Sequence, residues 1–151
     1  IYEAMVKTGN DVLDTILTEK SLACKENNIV VSCVADGKGL EFLHPIDLYT
    51  IFGNAMDNAI ECVKNLQKQE KRQIDVLIHR QHQFLIVQIM NPVEEELEFE
   101  DNLPVTTKHD KAYHGYGLRS IKNSVKKYNG VFQVKIKDGC FCLKILFPIK
   151  E

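Results

Sequence analysis

Three features are missing from this sequence, and each absence excludes a class of protein. No apolar run approaches the ~20 residues that a membrane-spanning helix needs, so we expect no direct membrane contact. The net charge is only −2, so the basic surplus that nucleic-acid or anionic-membrane binding needs is missing. No C-x-x-C pair is present, and the 5 cysteines lie in apolar helix and strand patterns (Cys24, Cys33, Cys62, Cys140 and Cys142). We therefore expect reduced, buried thiols and a cytoplasmic compartment, with neither a disulfide framework nor a zinc site.

Length and hydrophobic content predict one compact domain. The chain has 151 residues, 44% of them hydrophobic, which is enough for a real core. Because it begins at Ile1 and not at Met, we expect it to be part of a longer protein. Residues from about Tyr2 to Lys25 predict a helix with an apolar stripe. We interpret residues 1–25 as the end of a dimerisation helix and 26–151 as the main domain; the alternative is an N-terminal helix that packs on its own domain.

The most informative stretch is a helix predicted from about Pro45 to Lys68. At about 100° per residue, its apolar residues form one broad face and four polar residues form a narrow stripe. The stripe has i, i+3, i+4, i+7 spacing and consists of Asn54, Asp57, Asn58 and Glu61. A solvated face is the plain alternative. With no Lys inside the stripe, however, its carbonyl and carboxylate oxygens suit a hard cation such as Mg²⁺, which usually binds together with phosphates.

Two motifs together resemble those of a known superfamily. The run Asn54-x-x-Asp57-Asn58-Ala59-x-Glu61 resembles the N box of the GHKL ATP-binding domains (gyrase, Hsp90, histidine kinases and MutL). The run His114-Gly115-Tyr116-Gly117-Leu118-Arg119-Ser120 resembles their G2 box. The motifs occur in the expected order, with two predicted strands and a loop between them. In detail the chain is most similar to sensor histidine kinases of the accessory-gene-regulator type, which act in peptide quorum sensing.

The elements around these motifs predict a sheet with helices on one face. Alternation and turn residues predict strands at about 29–34, 73–80 and 84–90, and a closing hairpin of 131–137 and 140–147. Asp138-Gly139 is expected to form a type I′ turn in that hairpin. The stretch from Asn91 to Tyr113 has little apolar periodicity, and we interpret it as a lid. This order matches the Bergerat fold, a two-layer α/β sandwich with a mixed, mostly antiparallel sheet, here with an additional N-terminal helix.

The resemblance implies a site for ATP and Mg²⁺. A Gly-x-Gly that opens a helix lets backbone N–H groups and the positive helix end approach phosphate; Gly115 and Gly117, followed by Leu118, match that position. The matching kinases coordinate Mg²⁺ through the second N-box Asn, here Asn58. Asn54 stands where ATP-hydrolysing relatives carry a Glu that activates water, and an amide cannot accept that proton. Asn54 and Asn58 are therefore the candidate catalytic residues of a phosphotransferase.

Adenine recognition departs from the family pattern. Most relatives have an Asp-x-Gly-x-Gly box after the second central strand, where this chain has Asn91-Pro92-Val93-Glu94-Glu95. The side-chain carbonyl of Asn91 can accept the same hydrogen bond from the adenine amino group; alternatively, Asn91 only starts a turn. In the lid, Thr106-Thr107-Lys108 resembles a Thr/Ser-Lys element of this kinase subgroup, in which Lys108 would contact phosphate.

Together these features predict the catalytic domain of a two-component sensor histidine kinase. The family transfers the γ-phosphoryl group of ATP to a His on a first dimerisation helix. None of the 5 histidines of this chain lies on the N-terminal helix, so we expect the acceptor outside it. By resemblance, the parent protein would be a homodimeric, membrane-bound bacterial sensor with this domain in the cytoplasm and a response regulator as partner.

Three alternatives stay open. A serine kinase of the anti-sigma type shares the fold, although such proteins usually begin with the sheet. The missing glycines after Asn91 motivate a degenerate, nucleotide-free domain used for dimerisation or regulation. A plain α/β structural module would leave the polar stripe unexplained.

Overall fold

One mixed sheet forms the base of the domain. The computed structural model describes residues 6–94, 98–100, 103–105 and 111–149, with the backbone alone at 98–100, 103–105 and 111–115. The sheet strands are β1 Val30–Ala35, β2 Gln73–Gln81, β3 Phe84–Pro92, β6 Val131–Lys137 and β7 Cys140–Pro148, and a separate ribbon pairs β4 Glu98–Glu100 with β5 Leu103–Val105. The sheet order is β1-β2-β3-β7-β6, with only the β1–β2 pair parallel. The predicted mixed, mostly antiparallel sheet is confirmed.

Four helices and a π-helical segment cover one face of this sheet. The helices are α1 Asp11–Glu26, α2 Pro45–Leu48, α3 Asn54–Val63 and α4 Lys111–Lys126, and the π-helical segment Tyr49–Gly53 joins α2 to α3. Short 3-10 turns occupy Gly37–Leu40 and Gln69–Lys71. Alternate residues of β2 point into the core, as the period of a half-buried strand requires. On the opposite face, Val30 and Val34 of β1 are 62% and 65% exposed, so the helices lie on one side, as predicted.

The N-terminal helix begins at Asp11, and the prediction of a start near Tyr2 is wrong. The Asn10 side chain caps the helix by accepting a hydrogen bond from the backbone N–H of Leu13 at 3.1 Å. The Asp14 carboxylate accepts from both the backbone N–H and the hydroxyl of Thr8, at 2.7 and 2.6 Å. These bonds hold the chain before Asp11 in a turn outside the helix.

The apolar stripe of α1 is used inside this domain. Leu13, Ile16, Leu17 and Cys24 are at most 2% exposed and belong to the same core as the sheet. The helix therefore packs on its own domain, which is the alternative that the sequence left open. The further role of residues 1–25 at the end of a dimerisation helix stays a prediction.

Two other predicted boundaries differ from the structure. The central helix ends at Val63, not near Lys68. The Arg72 guanidinium donates to the Leu66 carbonyl at 2.8 Å, which holds the chain after α3 in a turn. The predicted lid contains the β4–β5 ribbon, so it is not an unbroken loop.

The closing hairpin is confirmed, with Asp138 at φ 53° and Gly139 at φ 73°, as a type I′ turn requires.

A buried carboxylate ties the beginning of α2 to the end of α4. Asp47 is 5% exposed and accepts hydrogen bonds from the Tyr128 hydroxyl and from Lys127 Nζ, the latter at 3.0 Å. The Tyr128 hydroxyl also accepts from the backbone N–H of His44 at 3.1 Å. The bond from Tyr128, helped by Lys127, lowers the pKa of Asp47 against the opposing effect of burial. We call this group of four residues the Asp47 clamp.

Replacing Tyr128 with Phe is expected to weaken the clamp. The variant removes one donor from a buried carboxylate, so the free energy of unfolding at pH 7 should fall by about 1–3 kcal/mol in urea denaturation. Because folding lowers the pKa of Asp47, its stabilising effect is present above the unfolded Asp pKa, about 3.9. It is lost as the pH falls through the folded pKa.

The difference between the Tyr128→Phe variant and the wild type should therefore shrink in acid. A suitable control is Tyr49→Phe, which removes a hydroxyl from a ring that is 49% exposed. We expect that control to change stability by less than about 0.5 kcal/mol. A Tyr128→Phe loss that stays the same from pH 7 to pH 2 would contradict the clamp.

Candidate functional site

The polar stripe on α3 divides into two pairs of side chains. Asp57 forms an ion pair with Lys20 of α1, with 2.8 Å between Nζ and Oδ1, and Glu61 pairs with Lys64. The stripe is therefore not one set of Mg²⁺ ligands, and α3 alone could not reveal this because Lys20 comes from another helix. In the part of the chain that the structure describes, no three His, Cys, Asp or Glu side chains are grouped to hold a metal ion.

The N-box and G2-box residues meet where α3 packs against α4. The Asn54 amide donates through Nδ2 to the Thr50 carbonyl at 2.8 Å. Its other end faces Gly117, where an added Cβ atom would lie 3.2 Å from Asn54 Oδ1. Only glycine leaves room for this approach without pushing the amide aside. The structure thus brings together two of the predicted site residues.

The glycines of the G2 box lie inside α4. The helix begins at Lys111, so the prediction that Gly115 and Gly117 open it is wrong. The first four N–H groups of a helix are those without a partner in it, which places the positive end upstream of Gly115. Glycine costs about 1 kcal/mol relative to alanine in a helix interior. The close approach of Gly117 to Asn54 gives a physical reason for its presence there.

Asn58 has a nearly buried side chain, 8% exposed. Within the described part of the chain, its amide makes no hydrogen bond. It is therefore available to a ligand. An amide oxygen is also a suitable ligand for a hard cation. The environment of Asn58 therefore fits the predicted Mg²⁺ role.

Asn91 supplies a buried polar atom without a partner among the described residues. It lies within β3, paired with Phe141 of β7, so the alternative that it only starts a turn is wrong. Its side chain is 1% exposed, and Nδ2 donates to the Pro92 carbonyl at 2.9 Å. Among the described residues, Asn91 Oδ1 is a buried acceptor without any donor. A ligand that brings an N–H group would complete it.

Cys62 connects these groups, and the sequence reasoning missed it. It lies on α3, which packs against β3. Hydrogen bonding by the Asn91 side chain lowers the pKa of its thiol and partly offsets the effect of burial. Burial raises the pKa of Cys62 to about 11, so the thiol is protonated at neutral pH. The signal was its spacing, because Cys62 follows Asn58 by one helical turn.

A row of three residues on α3 therefore joins two flanking contacts. Asn54, Asn58 and Cys62 follow one another at i, i+4 and i+8, which spans about 12 Å along the helix. Gly117 of α4 lies at the Asn54 end and Asn91 of β3 at the Cys62 end. We call these five residues the α3 row. It offers amide and thiol groups without a net charge, so it suits an elongated polar ligand.

Other predicted site residues lie elsewhere. The side chain of Leu118 is 1% exposed and belongs to the hydrophobic core. Lys108 lies outside the described residues, and the side chain of residue 115 is likewise not described. No helix in the described ranges combines the length and the apolar character that crossing a bilayer demands.

Known proteins resemble this chain in sequence family and in fold. The family model described as GHKL domain matches residues 43–148, which include both motifs. The chain is similar to the nucleotide-free catalytic domain of histidine kinase ThkA, with 15% identity and a TM-score of 0.71 over 94% of this chain and 93% of that one. A second nucleotide-free form of the ThkA domain gives 16% identity and a TM-score of 0.68, with 91% of each chain covered.

A histidine kinase from Acinetobacter baumannii, AdeS, shares the fold as well. Its identity is 12% and its TM-score 0.63, over 93% of this chain and 64% of the AdeS chain. No curated protein matches the chain. These structures agree with the predicted two-layer α/β fold, which is confirmed. They do not single out the accessory-gene-regulator type, which stays a prediction.

The contact between Gly117 and Asn54 predicts different effects of two alanine substitutions. In Gly53→Ala, the new Cβ atom meets no atom within 4 Å. This variant should gain about 0.5–1 kcal/mol in the free energy of unfolding, because alanine is the better helix former. In Gly117→Ala, a steric cost opposes this gain in stability. The new Cβ atom lies 3.2 Å from Oδ1 of Asn54, whose amide is held by a hydrogen bond to the Thr50 carbonyl.

Urea denaturation of the two variants measures this difference. We expect Gly117→Ala to be less stable than Gly53→Ala. An equal gain in both would show that Asn54 moves aside freely, and it would contradict the importance of the close approach.

Proposed function

The chain belongs to the GHKL domain family, and from this premise we propose that it is the ATP·Mg²⁺-binding catalytic domain of a two-component sensor histidine kinase. The observation that carries the proposal is the α3 row. In it, Asn91 Oδ1 is buried without a donor among the described residues, and the nearly buried Asn58 side chain makes no hydrogen bond with them. ATP complements them, because its base offers an amino group and its phosphates bring a metal ion.

The proposed roles follow the length of the row. Asn91 Oδ1 accepts a hydrogen bond from the adenine amino group. Asn58 holds Mg²⁺ through its amide oxygen, as Mg²⁺ is usually bound by one or two protein ligands together with substrate phosphates. When bound, the ion neutralises charge on the phosphates. Asn54 and Gly117 then border the phosphate end, where the absent Cβ of Gly117 leaves room.

The chemistry of Asn54 favours phosphoryl transfer over hydrolysis. Its amide donates to the Thr50 carbonyl and cannot take a proton from water. Positioning and charge stabilisation account for most of the catalysis in phosphoryl transfer. A domain without a base at Asn54 is therefore suited to hold ATP until an acceptor side chain arrives.

In the parent protein, we infer that the acceptor is a His on a dimerisation helix and that the phosphate passes to a response regulator. The parent would be a homodimeric, membrane-bound sensor of the accessory-gene-regulator type, with this domain in the cytoplasm. Support comes from the motif pair and from the absence of a His in the predicted N-terminal helix. Lys108 and Gly115 belong to this proposal as further nucleotide contacts. Leu118 contributes through its backbone alone, because its side chain lies in the core.

A nucleotide-free regulatory domain is the second candidate. Two observations favour it: Val93 and Glu95 stand where the family's box has its glycines after Asn91, and Gly115 and Gly117 lie within a continuous helix. Both reduce the number of free backbone N–H groups near the α3 row. The unsatisfied Asn91 Oδ1 counts against it, since a domain without a ligand would gain stability by replacing that residue.

Calorimetric titration with a non-hydrolysable ATP analogue, with and without Mg²⁺, separates the two candidates. We expect saturable binding to the wild type that strengthens with Mg²⁺. In Asn58→Ala the gain from Mg²⁺ should be lost, at a cost of about tenfold or more in affinity, which is about 1.4 kcal/mol.

Asp57→Ala is the matched control on the same helix. Asp57 pairs with Lys20 of α1 and lies outside the α3 row, so this variant should keep the gain from Mg²⁺. The absence of binding at millimolar nucleotide would overturn the kinase proposal and favour the regulatory domain. If Asp57→Ala lost as much of the Mg²⁺-dependent gain in affinity as Asn58→Ala, Asn58 would have no special role in holding Mg²⁺.

A further inference from the structure

Three sulfur-bearing side chains are neighbours on two paired strands of the sheet. Met90 of β3 is the register partner of Cys142 in β7. Residues directly opposite each other in a sheet point to the same face, with their Cβ atoms about 4.5–5.5 Å apart. Cys140 lies two residues before Cys142 and therefore on that face as well, because side chains alternate along a strand. We call these three residues the sulfur triad.

The alternation of β7 shows which face carries the triad. Phe141 and Leu143 are each 1% exposed and belong to the core under the helices, so Cys140 and Cys142 point to the opposite side of the sheet. Both cysteines are free thiols, and they and Met90 are half-buried. Because β7 lies between β3 and β6, the triad is within the sheet and not at its edge. Side chains on such paired strands are positioned more precisely than those on loops.

The spacing of the triad suits a single metal ion. Two residues along a strand span about 6.8 Å, which separates the Cα atoms of Cys140 and Cys142. Bonds of about 2.3 Å from a metal ion to sulfur join two sulfur atoms that are about 4.6 Å apart. Rotation of the two thiols toward each other supplies the difference. The long, flexible side chain of Met90 reaches the same point from the neighbouring strand.

The donor set of the triad selects a soft ion. Thiolate and thioether sulfur atoms favour Cu⁺, whereas carboxylate and carbonyl oxygens favour Mg²⁺ and Ca²⁺. Structural Zn²⁺ is bound almost always by four Cys, His, Asp or Glu ligands. No three such side chains are grouped to hold a metal ion in the part of the chain that the structure describes. The third donor here is a methionine, which makes the triad a site for Cu⁺ and not for Zn²⁺.

Two lysines offset the charge of such a complex. Lys135 and Lys137 of β6 are the register partners of Cys142 and Cys140, and both lysine side chains are exposed. When Cu⁺ binds, each thiol releases its proton to the solvent and no electron is transferred. One Cu⁺ with two thiolates and a neutral thioether carries one negative charge. The adjacent ammonium groups stabilise that charge.

We propose that the sulfur triad binds one Cu⁺ ion through Sγ of Cys140, Sγ of Cys142 and Sδ of Met90. The site lies on the other face of the sheet from the helix that carries the α3 row. The proposal is therefore independent of the nucleotide function, and each can fail without the other.

Anaerobic competition for Cu⁺ between the chain and the chelator bicinchoninate tests the proposal. The wild type should take one Cu⁺ per chain from the chelator. Because loss of a residue that only supports a metal ligand costs about 10–100-fold in affinity, loss of a thiolate ligand in Cys140→Ser or Cys142→Ser should cost about a hundredfold or more. Met90→Leu keeps the volume but removes the thioether, and it should weaken binding about tenfold.

Cys33→Ser is the matched control, since Cys33 is also a half-buried strand cysteine but packs against the core. It should bind Cu⁺ as the wild type does. Thermal unfolding without metal shows which variants are folded, and Met90→Leu tests the triad if a serine variant is not. A wild type that takes no Cu⁺ from the chelator would overturn the proposal. So would wild-type affinity in the two triad serine variants or in Met90→Leu.

Discussion

The close approach of α3 and α4 at Asn54 and Gly117 is the contact on which the candidate site depends. A side chain at position 117 would meet Asn54 Oδ1 at 3.2 Å, while the other end of that amide is held by the Thr50 carbonyl. A second connection is made by the Asp47 clamp, which joins the start of α2 to the residues that follow α4. The two motifs are thus fixed relative to each other at both ends. Groups held in place before a ligand arrives lower the entropic cost of binding it.

The unsatisfied oxygen of Asn91 and the nearly buried Asn58 side chain, which makes no hydrogen bond with the described residues, indicate where the fold suits a ligand. Burying polar groups without partners lowers stability, and apolar residues at the same positions would pack better. Sequences tend to break such local rules at functional sites. In this domain the two groups flank one stretch of α3, whereas its acidic neighbours Asp57 and Glu61 are paired with lysines. The polar residues of α3 therefore have two roles. The two acids form ion pairs, and the amides are left to bind a ligand.

Local patterns in the sequence predicted most of the fold. Alternation identified the strands, and Asp138-Gly139 identified the last turn, because both signals depend on neighbouring residues. The errors came from contacts between distant residues. Lys20 reaches Asp57 from another helix, and Arg72 holds the turn after α3 through the Leu66 carbonyl. Likewise, Gly117 of α4 lies close to Asn54 of α3, which the G2 box alone could not show.

The candidate site was predictable to a similar degree. Helical spacing and the family resemblance selected Asn54 and Asn58, and the end of β3 selected Asn91. The partners of these side chains were not predictable, since they depend on how α3 lies over the sheet. Cys62 illustrates this limit, because its spacing from Asn58 was visible but the effect of Asn91 on the pKa of its thiol was not.

A crystal structure of the chain with a non-hydrolysable ATP analogue and Mg²⁺ tests the α3 row most directly. The arrangement predicts the adenine amino group within hydrogen-bonding distance of Asn91 Oδ1, the metal ion on the Asn58 amide oxygen and the phosphates beside Gly117. A nucleotide bound away from the row, or one bound with no part of its base near Asn91 Oδ1, would contradict it.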